Sequence, residues 1–237
     1  MTANEITNDL HKRTIDQHLD FLIGKAREAL ETARNAGSSK LDELAVAQAR
    51  QQQLLENMAC RDPLTNVFST KYFEDTLPRE IVRDISAGRS YSLALFDADY
   101  LKPKNDDEPD HHDAGDRYLR SIIDITKEEI EKIAGAFIAR LKKGDEFAIC
   151  LPGKTADEAK EVLEKIRLRV VTEVPDRAKL TIPRNRDQTT ISIGITQIRR
   201  GMSARDAILQ ADHALYTSKK DGRNRTTIYE QNPYGLK

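Results

Sequence analysis

Lys143-Gly144-Asp145-Glu146-Phe147 lies between two short apolar runs, Phe137-Ile138-Ala139-Arg140 before it and Ala148-Ile149-Cys150-Leu151 after it. Two apolar runs split by a charged, glycine-containing break read as a β-hairpin with buried strands and an exposed turn. That turn carries adjacent carboxylates, Asp145 and Glu146, whose oxygens suit a hard divalent cation such as Mg2+. Alone, two acids at a turn are ordinary solvated residues. A second acidic strand end changes the balance. Tyr91-Ser92-Leu93-Ala94-Leu95-Phe96 is an apolar run that finishes in Asp97-Ala98-Asp99. Carboxylates at the end of a buried strand, beside an acidic hairpin, are what a two-metal phosphoryl-transfer site needs.

Around the hairpin the periodicity alternates between helix and strand. The pattern predicts a helix near Thr70 to Ala87, a strand from Ser92 to Asp97, a helix near Ala114 to Ile133, and then the hairpin. A helix near Ala156 to Thr172, a strand Thr189 to Gln197, a helix near Ser203 to Lys219 and a short strand Thr226 to Tyr229 follow. This is an α/β (α+β) domain. The order strand, helix, hairpin, helix, strand is that of the split βαβ, ferredoxin-like arrangement, in which helices cover one face of a mainly antiparallel sheet. The first strand then lies beside the hairpin, which brings Asp97 towards Asp145 and Glu146.

The 237 residues suffice for one full core and an appendage. With 38% hydrophobic and 32% charged residues and a formal charge of −1, the chain has no global field, which argues against a nonspecific nucleic-acid or membrane binder. Cys60 and Cys150 lack metal-like spacing and sit beside apolar residues, as buried or half-buried thiols of a reducing compartment do. Without a basic start, an apolar leader or a long apolar segment, the chain reads as cytoplasmic.

Residues 1–60 differ in character. From about Ile6 to Ala59 the chain is rich in Ala, Leu, Gln, Glu, Arg and Lys and has no Pro, so it should be helical. Ile15, Leu19, Leu22, Ala26, Ala29 and Ala33 form one apolar seam, and Asn35-Ala36-Gly37-Ser38-Ser39 breaks it. Leu41, Leu44, Leu54, Leu55 and Met58 supply a second seam with a glutamine-rich middle. The segment is a helical hairpin or a coiled-coil dimerisation device. Pro63 biases Asp62 away from helix, which puts the boundary near residue 60, with the catalytic-type domain over 61–237.

From about Arg61 to Tyr229 the residues resemble the GGDEF domains of diguanylate cyclases, here with a divergent KGDEF signature. Asp62-Pro63-Leu64-Thr65-Asn66 resembles the family's DxLTGL opening. Asp97-Ala98-Asp99-Tyr100-Leu101-Lys102-Pro103-Lys104-Asn105-Asp106 resembles DxDxFKxxND, and His112-Asp113-Ala114-Gly115-Asp116 resembles HxxGD. Ser192-Ile193-Gly194 resembles the SiG strand. Ala211-Asp212-His213-Ala214-Leu215-Tyr216, with Lys219, Gly222, Arg223 and Asn224, resembles the ADxALYxAKxxGRN tail. The matches come in the family's order over one domain-sized segment.

The resemblance implies a palm-type domain and a set of roles. Asp97, the carbonyl of Ala98, Asp145 and Glu146 would hold Mg2+ (or Mn2+) against a nucleoside triphosphate, with Asp145 the candidate base. In the family an acid at the Asp145 position is assigned either to metal binding or to proton acceptance. Lys102, Lys219 and Arg223 would meet the phosphates. Asn105 and Asp116 would read the guanine edge, with His112 and Gly144 in the same pocket. The implied reaction condenses two GTP molecules into cyclic di-GMP and pyrophosphate between two domains, so a homodimer through the N-terminal helices is the implied partner state. Lys143 replaces the first signature glycine, and Asp107-Glu108-Pro109-Asp110-His111 lengthens the loop after Asp106. These departures leave open a catalytically silent GTP- or cyclic-dinucleotide-binding regulator, or a related cyclase with another product. Ala134-Gly135-Ala136-Phe137 stands where the family carries its RxxD product-inhibition element, so that element is absent.

Overall fold

The computed structural model describes residues 46–47, 60–101, 112–141, 144–179 and 189–230. The N-terminal seams, the 102–111 loop and Lys143 lie outside the described residues. From residue 60 the elements are α1 (Thr70–Ser86), β1 (Tyr91–Ala98), α2 (His112–Ile130), β2 (Phe137–Arg140), β3 (Glu146–Pro152), α3 (Ala156–Arg177), β4 (Ile191–Gln197), α4 (Ala204–Lys220) and β5 (Thr226–Ile228). They form a five-stranded sheet in the order β2-β3-β1-β4-β5. β1 is central and antiparallel to both β3 and β4, β2 is antiparallel to β3, and β4 runs parallel to β5.

The expected split βαβ order holds, but helices cover both faces of the sheet rather than one. Ala94, Phe96 and Ala98 of β1 pack with Tyr118, Ile122, Leu163 and Val170 of α2 and α3. Tyr91, Leu93 and Leu95, pointing the other way, pack with Phe73 and Leu77 of α1 and with Ala211 and Leu215 of α4. The reason is visible in β1 itself, which is buried at every position and hydrophobic on both faces where a one-sided strand would alternate.

Local chemistry sets the helix ends. Ser69 accepts from the Tyr72 N–H at the start of α1, Thr155 and Glu158 form a capping box on α3, and Ser203 accepts from the Asp206 N–H on α4. α3 runs beyond the expected Thr172 to Arg177. Its last turns are pinned by Glu173, which accepts from Arg169 at 2.6 Å and Arg177 at 2.6 Å, and by Glu128 of α2, which accepts from Arg177 at 2.8 Å. α4 seats directly on β4: a Cβ at Gly194 would lie 2.1 Å from the Leu215 nitrogen and 2.3 Å from the Ala211 oxygen. Glycine is therefore what lets α4, and with it Lys219, approach the sheet. No helix among the described residues is long and apolar enough to cross a membrane.

Candidate active site

The two acidic stretches meet through strand register. Asp97, next to last in β1, is paired with Glu146 at the start of β3 and with Ser192 on β4. Asp145 directly precedes β3, so the hairpin's acids sit at the end of β1, as the sequence pattern required. The last rung before the turn is the Leu141 N–H donating to the Glu146 oxygen at 2.9 Å. Gly144 then takes φ +75°, with open space where a Cβ would stand, so glycine serves the backbone conformation here and not a close contact. Ala98 is buried and pairs with Ile191.

Lys219, in the last turn of α4, places Nζ 2.9 Å from Asp97 Oδ2. Burial pushes the Asp97 carboxyl up to about 6, outweighing the Lys219 contact, and the neighbouring Asp145 and Asp99 push the same way. A half-enclosed carboxyl crowded by two others, with an ammonium already on one oxygen, is a position that favours added positive charge. Among the described residues no group of three or more His, Cys, Asp and Glu side chains forms a protein-only metal cage. Mg2+ fits that donor set, because it takes one or two carboxylates and completes its shell with water and substrate phosphate.

Asp99 has a different task from Asp97, and the sequence, which shows it only as part of the acidic strand end, assigns it no role of its own. It is buried, and accepts from Thr190 Oγ1 at 2.7 Å, Ser192 Oγ at 2.8 Å and the Asn224 N–H at 3.2 Å. Its own N–H donates to the Thr190 oxygen at 2.9 Å. Arg223 Nε lies 3.9 Å from Asp99 Oδ1, and its guanidinium stands 5.1 Å from the Tyr100 ring centre. Arg223 and Asn224 both hold positive φ, +64° and +47°, a conformation that is uncommon for an arginine and better tolerated by an asparagine. Asp99 thus ties the end of β1, the start of β4 and the Arg223 loop together. The hydroxyls of Thr190 and Ser192, spaced by two at the start of β4 and so directed to one side, were the available signal.

The remaining candidates are less gathered. Asp116 is half-buried in the second turn of α2, and His112 is the first residue of that helix, its side chain outside what is described. Lys102 and Asn105 also lie outside the described residues. Arg140, given no role from sequence, reaches the signature turn: it donates from Nε to the Gly144 oxygen at 2.8 Å and from Nη1 to Oδ1 of Asp62, the first residue of the opening motif, at 3.0 Å. A cavity of about 640 Å³ lies at the other end of the strands, lined in part by Ala134, Pro152, Lys132, Lys154 and Lys165. It contains none of the site carboxylates, and enclosure is not what marks this site; the convergent acids and cations are.

The family description "Diguanylate cyclase, GGDEF domain" matches residues 59–225. The chain belongs to the GGDEF family. It is 32% identical over 179 residues to a probable diguanylate cyclase, DgcT, of Escherichia coli, an alignment covering 74% of this chain and 37% of that protein. Among solved structures it is similar to the GGDEF domain of DgcB from Caulobacter crescentus in complex with c-di-GMP, at 31% identity and TM-score 0.62, covering 73% of this chain and 97% of that one. It is also similar to the diguanylate cyclase SiaD of Pseudomonas aeruginosa, solved with its activator SiaC, at 27% identity and TM-score 0.60, covering 95% of this chain and 86% of that one. The chain spans between about a third and a half of the length of the curated relatives it matches. The GGDEF fold, with its mixed five-stranded sheet and flanking helices, is the one described above.

Proposed function

We propose that this GGDEF protein is a diguanylate cyclase that condenses two GTP molecules into cyclic di-GMP with release of two pyrophosphates. The observation that carries the reading is the pairing of Asp97 with Glu146 across β1 and β3, with Asp145 adjacent and Lys219 on the Asp97 carboxylate. In each half-reaction the 3′ oxygen of one GTP attacks the α-phosphorus of the other, the bond to the β-phosphate bridge breaks, and the 3′ proton leaves to a base. Asp145 is the candidate for that base. Mg2+ or Mn2+, which GGDEF cyclases generally use, would when bound offset triphosphate charge and acidify the 3′ hydroxyl, with Asp97, the Ala98 carbonyl, Asp145 and Glu146 as holders.

The chain's own cations have a second duty. Lys219 and Arg223 converge on Asp97 and Asp99 from α4 and the loop after it, and with Lys102 they would meet the triphosphate. Asp116 and Asn105, helped by His112 and the Gly144 backbone, would select guanine, because a carboxylate can accept from both the ring N–H and the exocyclic amine of that base. One chain supplies one GTP half-site, so two domains must face each other, and residues 1–60 are assigned to dimerisation, with 61–237 as the cyclase domain.

Lys143, in place of the first signature glycine, favours a second reading, a silent GTP- or cyclic-dinucleotide-binding regulator. Full-length protein incubated with GTP, ATP and Mg2+, with products identified by mass, decides. Cyclic di-GMP from GTP alone supports the cyclase. Bound but unreacted GTP supports the regulator, and a product containing adenosine would point to a different cyclase.

A further inference from the structure

The structure connects the point where the chain leaves its N-terminal segment to the signature turn through one side chain. Arg140 is the last residue of β2, and four of its polar groups go to different parts of this corner. Its N–H donates to the Phe68 oxygen at 2.8 Å, and its carbonyl accepts from Thr70 Oγ1 at 3.0 Å, which anchors it to the start of α1. Nη1 donates to both oxygens of Asp62, at 3.0 and 3.2 Å, and Nε donates to the Gly144 oxygen at 2.8 Å. The Asp62 and Arg140 side chains keep only 15% and 18% of their exposure, so the pair is better sheltered than a surface ion pair.

Asp62 is itself held. Its Oδ1 accepts from the Thr65 N–H at 2.9 Å and the Thr65 hydroxyl at 2.7 Å, closing the turn that begins the domain. Cys60, two residues earlier, accepts from the Ser69 N–H at 2.7 Å. Burial works to raise the Asp62 carboxyl, but the Thr65 and Arg140 contacts outweigh it and hold it below the usual carboxylate range, so it is ionised at neutral pH.

The Gly144 carbonyl belongs to the peptide plane that leads into Asp145. Fixing that oxygen fixes the plane, and with it the direction from which the Asp145 side chain departs. Gly144 is at φ +75° and an added Cβ there would meet no described atom; among the described residues the turn is held by the Gly144 N–H on the Leu141 oxygen at 3.4 Å and by the shorter Arg140 contact to the Gly144 oxygen. We propose that Arg140 is the positioning residue for Asp145, and that Asp62 sets Arg140, so that movement of the chain at residues 60–62 reaches the signature turn through this guanidinium. A lysine cannot replace it, because one ammonium lacks the fork that spans Asp62 and Gly144 together.

The inference rests on the cyclase reading for its catalytic consequence and on geometry alone for the clamp, and two measurements on the full-length chain separate them. The first is amide hydrogen exchange without nucleotide or metal in wild type, Asp62→Asn, Arg140→Lys, Arg140→Ala and the Asp62→Asn/Arg140→Ala double variant. Exchange across residues 144–146 should rise about tenfold in Arg140→Ala and in Arg140→Lys, with the α4 segment 207–215 unchanged. Because Asp62 acts through Arg140, the double variant should exceed Arg140→Ala by less than about twofold. The second is steady-state turnover, in which kcat should fall about tenfold or more while KM for GTP stays within about threefold. Unchanged exchange at 144–146, or single effects that multiply in the double variant, overturns the clamp. Absence of turnover in the wild type overturns the cyclase reading, and the exchange result still decides the clamp.

Discussion

Lys219 Nζ lies 2.9 Å from Asp97 Oδ2, joining the last turn of α4 to the end of β1. A lysine that the family resemblance assigns to phosphate is thus already neutralising a carboxylate in the chain by itself. The two duties are compatible, since Lys219 keeps 30% of its side-chain exposure and its flexible stem can turn from one partner to another. When a triphosphate arrives, the ammonium gains a more highly charged partner. Asp97 then needs a replacement cation, which is the place the divalent ion takes in the proposed reading.

The buried Asp97 makes a prediction about stability as well as activity. Its folded pKa is about 6, above the ordinary value of about 3.9 for an unfolded aspartate. The folded state therefore holds the proton more tightly, and this contribution is complete below about pH 4 and is lost as pH rises through about 6. In chelator at pH 8 the ionised Asp97 should cost on the order of 1 to 3 kcal/mol. Asp97→Asn should then raise the metal-free melting temperature by about 2 to 8 °C at pH 8 and by much less at pH 4. The same variant should lose metal-dependent turnover. Equal melting shifts at both pH values would show that Asp97 is not the destabilising group.

Gly194 should tolerate no side chain. An added methyl would stand 2.1 Å from the Leu215 nitrogen and 2.3 Å from the Ala211 oxygen, both backbone atoms that no rotamer change can move. Gly194→Ala should cost at least about 3 kcal/mol, the upper part of the range for overpacking. Urea denaturation checks this through a shift of the midpoint at unchanged slope. If α4 instead slides to make room, stability is kept but Lys219 is displaced from Asp97, and GTP affinity should fall with it.

How much of this could be read in the sequence depended on how local the cause was. The register that brings Asp97 to Glu146 follows from the apolar runs and the hairpin, so those acids could be placed together without a structure. The second covered face was legible in principle, because Tyr91 to Phe96 does not alternate, yet the split βαβ pattern suggested one face. The tasks of Asp99 and Arg140 escaped because their partners are remote in sequence: Asp99 accepts from Thr190, just before β4, and from Ser192 on it, and Arg140 donates to Asp62. A one-dimensional pattern gives a side chain's neighbours on its own element, not across the sheet. Lys219 was found by resemblance, but its pairing with Asp97 needed the close seating of α4 that Gly194 permits.

Product inhibition should be weak. The RxxD element is replaced by Ala134-Gly135-Ala136-Phe137, and the cavity that Ala134 lines offers mainly lysines, Lys132, Lys154 and Lys165. Its two arginines, Arg83 and Arg89, are engaged with the buried Asp84. Lysines attract phosphate as point charges and lack the bidentate fork that gives an arginine site its grip. Cyclic di-GMP added at low micromolar concentration should therefore leave the initial rate of product formation nearly unchanged. Noncompetitive inhibition in that range, with stoichiometric binding by calorimetry, would reveal a product site of other construction.

The N-terminal residues make the prediction that bears on assembly. A chain beginning at Cys60 retains Asp97, Asp116, Asp145, Glu146, Lys219 and Arg223, together with the Asp62–Arg140 contact and every described strand. It should fold and bind GTP in the presence of Mg2+. It should also turn over poorly, because two half-sites must meet and the proposed tether is gone. An attached helical dimer supplies an effective concentration that reaches roughly millimolar for short linkers, far above a dilute assay. Specific activity of the truncated protein should therefore climb with its concentration, while that of the full-length protein stays flat across the same dilution series, with mass followed by light scattering at each step. A truncated monomer with full, concentration-independent activity would sink the two-domain reading. A full-length monomer would make residues 1–60 a helical hairpin folded on itself and would leave dimerisation to the cyclase domain.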